Sequence, residues 1–150
     1  MHPGQIRTTV RRKIAADPTS TALLLAAPSA FELWPGVRRI ADVGGRVVVE
    51  TDLPSARPAA ATVRALPPRR TPTSYVTRFD WVGPGLPATT GQLTLDYAAG
   101  SDGAISTDAT LVLECELTET SAVDGPALRA MAAAFLVNLG RAAELRSRAA

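Results

Sequence analysis

One long amphipathic segment closes a chain that otherwise reads as short strands, and that imbalance restricts the fold more than any other feature. Between residues 126 and 147, Leu128, Met131, Ala132, Phe135, Leu136, Leu139 and Ala143 recur at the spacing of one helical face. The spacing predicts a helix of roughly 30 Å at 1.5 Å per residue. Asp124-Gly125-Pro126 opens it, and Arg141, Arg146 and Arg148 place positive charge toward its C-terminal end, where the helix dipole favours it. A lone helix cannot cover a flat sheet of seven strands. The sheet has to curl around it, and a gap is left where helix and sheet diverge.

The strands are read from alternation. Residues 5–15 place Ile6, Val10 and Ile14 on one parity and Arg7, Arg11 and Lys13 on the other. Asp17-Pro18 opens a short helix over 18–26, since aspartate caps free N–H groups and proline at the first helical position loses no bond. A second short helix runs from Pro28 to about Trp34, and Pro35-Gly36 ends it. Strands follow over 37–43 and 46–53, joined at Gly44-Gly45 in the manner of a two-residue hairpin. Further strands are expected over 59–66, 74–82, 90–98 and 104–119, with a loop over 67–72, a break at Gly83-Pro84-Gly85 and a turn at 100–103. The last strand is the clearest. Ile105, Ala109, Leu111, Leu113, Cys115 and Leu117 face one way, and Ser106, Asp108, Thr110, Glu114 and Glu116 the other, with Val112 the exception.

The fold class is therefore α+β: a curved seven-stranded antiparallel sheet around a long C-terminal helix, with two short helices after the first strand. Residues 1–150 are expected to form one domain, long enough to bury roughly 70% of the unfolded surface. Composition narrows the function classes. Hydrophobic residues make up 46% and charged residues 20%, so a packed core is expected. Cys115 is the only cysteine, which rules out an internal disulfide and fits a reducing compartment. With no secretory signal and no apolar run of membrane-spanning length, a cytoplasmic protein is expected. The net charge is only +2, its basic clusters are interleaved with acids, and aromatics are 5%. A nucleic-acid surface is not expected.

Site chemistry is narrowed in the same way. His2 is the only histidine, so neither an N/S metal cluster nor a histidine-based nucleophile system can be assembled around it and Cys115. Gly83-Pro84-Gly85 is no phosphate cradle, because proline removes a donor. No cofactor and no metal are expected. Carboxylate, arginine and tyrosine chemistry remain.

Ile14-Ala15-Ala16-Asp17-Pro18 leading into a short helix, and Phe31-Glu32-Leu33-Trp34-Pro35-Gly36-Val37 leading into the second strand, resemble the START-like superfamily. This group is also called SRPBCC, or the polyketide cyclase/dehydrase and lipid transport family, and its fold is named the helix-grip. The resemblance covers nearly the whole chain. It implies a cavity between sheet and C-terminal helix that takes a hydrophobic or aromatic small molecule, lipid-like or polyketide-like. Members include lipid carriers, hormone receptors, aromatase/cyclases and ring-hydroxylase subunits. The cysteine and histidine iron ligands of that last branch are absent. A polyketide cyclase/aromatase-like enzyme and an accessory protein without a small ligand are the alternatives, and a monomer or homodimer is compatible with all three.

The candidate ligand-binding residues are Trp34, Tyr75, Phe79, Trp81, Tyr97, Leu113, Met131 and Phe135. Residues 74–82 admit two registers. One sends Tyr75, Phe79 and Trp81 inward; the other sends Arg78 and Asp80 inward and makes a charged pocket. The aromatic register is favoured, because burying an unpaired charge costs several kcal/mol. Trp34 reads as a pocket gate or as a core plug at the corner. Tyr97 shares parity with Leu93 and Leu95, so its ring is expected inward with a hydroxyl seeking a partner. Arg64 is a candidate anchor for an anion or an exposed outer residue, and Cys115 an inert core thiol.

Overall fold

In the computed structural model, residues 5–26, 28–43, 46–51, 59–83, 86–100, 102–116 and 125–149 are described. Strand β1, Gln5–Ile14, buries Thr8, Val10 and Ile14 and leaves Arg7, Arg11 and Lys13 exposed. Asp17 then caps helix α1, Pro18–Ala26. Its carboxylate accepts from the Ser20 amide at 2.7 Å and the Ser20 hydroxyl at 3.0 Å. A 3-10 helix, Pro28–Leu33, leads to the Trp34-Pro35-Gly36 corner. There the Val37 amide donates to the Trp34 carbonyl at 3.2 Å, and Gly36 takes φ +73°. Proline followed by a positive-φ glycine is the chemistry of a type II turn.

The remaining strands are β2 (Val37–Val43), β3 (Arg46–Thr51), β4 (Ala59–Ala65), β5 (Arg69–Arg70), β6 (Ser74–Gly83), β7 (Leu86–Ala99) and β8 (Ile105–Glu116). Seven of the eight run in the order β1-β8-β7-β6-β4-β3-β2, and the two-residue β5 pairs with β6. Every pairing is antiparallel. Register shifts between Arg39 and Ala41, and between Trp81 and Gly83, add local bend and twist, so the sheet curls into a half-barrel. Its outer face pairs opposite charges across neighbouring strands: Arg7 with Glu114, Arg38 with Glu50 and Arg64 with Asp80. A one-residue slip would carry those charges into the core, so the same residues that face water also hold the register.

Helix α2, Gly125–Ala149, lies inside the curl. Leu128, Ala132, Phe135, Leu136, Leu139 and Ala143 are buried, and Met131 is half-buried against them. The packing is uneven. Among the described residues, α2 runs close along β1 and reaches part of β8, α1 and the 3-10 helix, while β2, β3, β4 and β6 stand farther off. Small residues permit the close side: a methyl group on Gly140 would stand 3.2 Å from Arg12 Nε and 3.5 Å from Ile14 Cγ1. Side-chain hydrogen bonds from α2 to its neighbours help fix the helix in place. Arg129 donates to the Thr9 carbonyl at 3.1 Å, and Asn138 Nδ2 to the Leu33 carbonyl at 2.7 Å.

The structure departs from the sequence reading in a few places. The 67–72 loop contains β5, because Arg69 and Arg70 pair with Val76 and Tyr75. β7 begins at Leu86 rather than Thr90, extended by pairing of Thr89 and Leu86 with β6. Ile105 is 49% exposed while Ser106 is buried, the reverse of the faces expected at the start of β8. The expectations for Gly44-Gly45, 52–53, Pro84-Gly85, Leu117 and Asp124 fall outside the described residues, although Val43 does pair with Arg46 across the expected hairpin.

Candidate functional site

The register of β6 settles which chemistry reaches the interior. Tyr75, Thr77, Phe79 and Trp81 stand opposite Leu95, Leu93, Gly91 and Thr89 of β7, and these continue to Ala109, Leu111, Leu113 and Cys115 of β8. Leu93, Leu95, Leu111 and Leu113 are buried, so this parity is the inner face. Arg78 and Asp80 take the outer one. Arg78 Nε donates to Gln92 Oε1 at 2.9 Å, and Asp80 pairs with Arg64 at 2.9 Å. The charged-pocket register is thus not adopted, and Arg64 is an exposed outer residue rather than an interior anion anchor.

Four of the candidate residues form one ring cluster. Trp34, only 4% exposed, stacks on Phe135 of α2 with centroids 4.3 Å apart and planes 19° from parallel. Phe79 and Trp81 meet it edge-on, at 5.8 Å and 5.7 Å. Such geometries suit the ring quadrupoles. Trp34 comes from the corner that leads into β2, and its ring lies between β6 and α2. Phe79 and Trp81 are only half-buried although both point inward. Met131 lies one turn before Phe135 and is likewise half-buried, and Leu113 is a fully buried wall residue opposite Gly91.

Tyr75 and Tyr97 stand apart from this cluster, toward the α1 end of the sheet. Tyr75 is buried beneath Arg70, whose guanidinium lies 5.4 Å from its ring centre. Burial raises the Tyr75 pKa, and the Arg70 charge opposes that rise. Tyr97 has the expected inward parity but is 48% exposed on the wall of an open cleft, although its β8 partner Thr107 is fully buried. Both line an open cleft of about 320 Å³ with Asp17, Thr19, Arg70, Thr73 and Ile105. A second open cleft, of about 300 Å³, lies on the outer face among Arg7, Arg78, Asp80, Gln92 and Glu114.

On the inner face of β6, β7 and β8 the polar groups are chiefly hydroxyls, with the Thr89 hydroxyl 3.6 Å from the Cys115 thiol. Arg12 of β1 shares the inner parity, opposite Ala109, and lies beside Gly140 of α2. Burial pushes the Cys115 thiol up; the Thr89 contact lowers it and the neighbouring Glu116 raises it further. Sequence reasoning did not single out Gly91. A glycine inside an alternating strand is the signal that something approaches the backbone closely, and here it is the Phe79 ring.

These features describe a curled sheet gripping one helix, with a cluster of aromatic rings between β6 and the helix. No protein-family model matches the chain, and no curated protein sequence matches it. Solved structures do. An aromatase/cyclase from a Streptomyces species superposes with a TM-score of 0.62 at 15% identity, covering 95% of each chain. A START superfamily protein from Mycobacterium smegmatis gives 0.57 at 16% identity, covering 97% of each. The fold is START-like. A conserved protein from Geobacillus kaustophilus shares this helix-grip arrangement with a TM-score of 0.68 at 11% identity, over 93% of this chain and 95% of its own. At such identities the likeness concerns architecture, and function has to be argued from the side chains.

Proposed function

We propose that this START-like chain binds a neutral hydrophobic or aromatic small molecule between the sheet and α2, against Phe79, Trp81, Met131 and the walls around Leu113. One observation carries the reading. Phe79 and Trp81 point into the interior yet keep part of their surface open, on the side where α2 has drawn away from the strands. Apolar rings left accessible inside a curl are what a small-molecule site offers, with a few hydroxyls for orientation. The described inner face of β6, β7 and β8 presents Thr77, Thr89 and Cys115 rather than charged groups, which favours a neutral occupant. The two neighbours named for START and for aromatase/cyclase activity support a ligand of this class.

Binding is preferred to polyketide cyclisation for a stated reason. The groups on which proton transfer would have relied are placed elsewhere: Arg78 and Asp80 on the outer face, and Tyr97 half-exposed at the end of the sheet. Tyr75 and Cys115, the inward groups with shifted pKa values, are both raised by burial, which keeps them protonated at neutral pH. A protonated group can donate a hydrogen bond but is a poor general base.

Native mass spectrometry of the freshly purified protein, against the same sample denatured, tests the proposal. Excess mass lost on denaturation is expected, and it also reports whether the chain is a monomer or a homodimer. Titration with 1-anilinonaphthalene or 2-naphthol while following intrinsic emission gives a second test. Both of the chain's tryptophans, Trp34 and Trp81, belong to the ring cluster, so binding there must change the signal. No excess mass together with unchanged emission would overturn the reading.

A further inference from the structure

Gly91 lies mid-strand in β7, directly opposite Phe79 of β6 and Leu113 of β8. A glycine there weakens the strand, and it needs a reason. The reason is the Phe79 ring, which reaches across onto the space a side chain would fill. A methyl group built on Gly91 would overlap Phe79 Cζ, and would stand 2.5 Å from Cε2 and 2.9 Å from Cε1. Real carbon atoms do not approach so closely. The conflicting atoms are all at the far end of the ring, so the overlap comes from the ring lying low on the sheet and not from the backbones being close.

We propose that Gly91 sets the depth of the binding space, by letting Phe79 lie down across β7 instead of standing up beside Trp34. The inference rests on the function proposed above and adds the residue that limits ligand size. With any larger residue at position 91 the Phe79 ring has to lift off β7. Sheet backbone lies beneath it and the Trp34 ring is 5.8 Å away, so it rises into the volume that an occupant would use. The ring is half-buried in its present position, and its upper surface is therefore the floor of that volume. Gly91 touches no ligand in this scheme. It acts through Phe79 and selects for bulk.

The pair makes an opposed set of variants possible. Gly91→Ala raises the floor. Phe79→Leu lowers it, and the double variant Gly91→Ala/Phe79→Leu removes the conflict, because leucine ends before the Cε and Cζ atoms that meet the methyl group. The test is intrinsic-emission titration of the full chain with neutral probes of rising size: 2-naphthol, 9-anthracenemethanol and 1-pyrenemethanol. One displaced methylene in an apolar pocket is typically worth on the order of 10- to 200-fold. Gly91→Ala is accordingly expected to weaken the pyrene probe by about tenfold or more relative to naphthol, and the double variant to restore the wild-type ratio. Near-ultraviolet circular dichroism gives a reading independent of any ligand: Gly91→Ala should alter the tryptophan bands with the far-ultraviolet spectrum unchanged, and the double variant should keep its far-ultraviolet spectrum too.

The outcomes separate the two ideas. If the wild type binds none of the probes and carries no excess mass, the binding function fails and the size gauge with it. If the wild type binds but Gly91→Ala weakens every probe equally, or none, the function stands and the gauge is overturned. Unchanged tryptophan bands in Gly91→Ala would overturn it as well.

Discussion

The two sides of the helix are built for different ends. Toward β1, α2 lies close to the strand, with Leu136, Leu139 and Ala143 fully buried and Gly140 permitting contact with Arg12 and Ile14. Toward β4 and β6 it has no comparable approach, and the interval is bridged by rings: Trp34 stacked on Phe135, with Phe79 and Trp81 edge-on. The first side is closed by small and aliphatic residues, and the second is filled by large rings, of which Trp34 and Phe135 are buried and Phe79 and Trp81 half-buried. Close packing fixes the position of the helix. The ligand proposed above would use the other side, where the helix need not move to admit it.

Mutations sharpen this contrast, and the largest effect is expected on the closed side. Leu139→Ala should lose about 2–5 kcal/mol in urea unfolding, the usual cost of a core cavity. Met131→Ala, on the open side, should lose clearly less, because its side chain is only half-buried. Equal losses would break the distinction. Thr107 belongs to the closed end, where its hydroxyl donates to the Ala16 carbonyl at 2.7 Å and the residue is fully buried. Thr107→Val keeps the shape but removes that donor, so a loss of about 1–3 kcal/mol is expected from the same unfolding measurement.

Smaller effects follow at the margins. Asp17→Ala removes the α1 cap and should cost about 1 kcal/mol, read from the thermal or urea midpoint. The Arg64–Asp80 pair lies on the outer face behind the aromatic side and is partly exposed. A double-mutant cycle there is expected to give a coupling of about 0.2–1 kcal/mol, falling in high salt.

The pH dependence concerns the interior and has a definite sign. Tyr75 and Cys115 are both raised by burial. The folded chain therefore keeps these protons at pH values where the unfolded chain releases them. Their contribution to stability is intact below the ordinary thiol value of about 8.5 and declines as pH rises through the thiol and phenol range. The urea midpoint should drop over that interval, and less so in Cys115→Ala. Thiol labelling at mildly alkaline pH should be slow in the folded protein and fast in urea, since a buried neutral thiol is a weak nucleophile. Rapid labelling of the folded chain would show that water and reagent reach Cys115.

Much of this was legible in the residues. The apolar stripe of α2, the alternation in β1 and β8, the Asp17-Pro18 helix start and the Trp34-Pro35-Gly36 corner all follow from local chemistry, and each lies where its periodicity or turn residues put it. These signals survive because they depend on neighbours within one or two turns. The inward placement of Tyr75, Phe79 and Trp81 was favoured on desolvation grounds, but local sequence left the charged alternative open. It was closed by Arg64 and Gln92, which come from β4 and β7 to partner Asp80 and Arg78 on the outer face.

What the amino-acid sequence determined, then, was the order of the elements, the buried face of the long helix, and the need for a curled sheet around it. The tertiary structure decided the rest. It set α2 against β1 rather than over the middle of the sheet, left Tyr97 exposed on the wall of an open cleft, and laid the Phe79 ring on Gly91. The physical reason is common to all three. Periodicity reports which face of an element turns inward, whereas packing distance and exposure depend on which side chains meet across strands far apart in the chain.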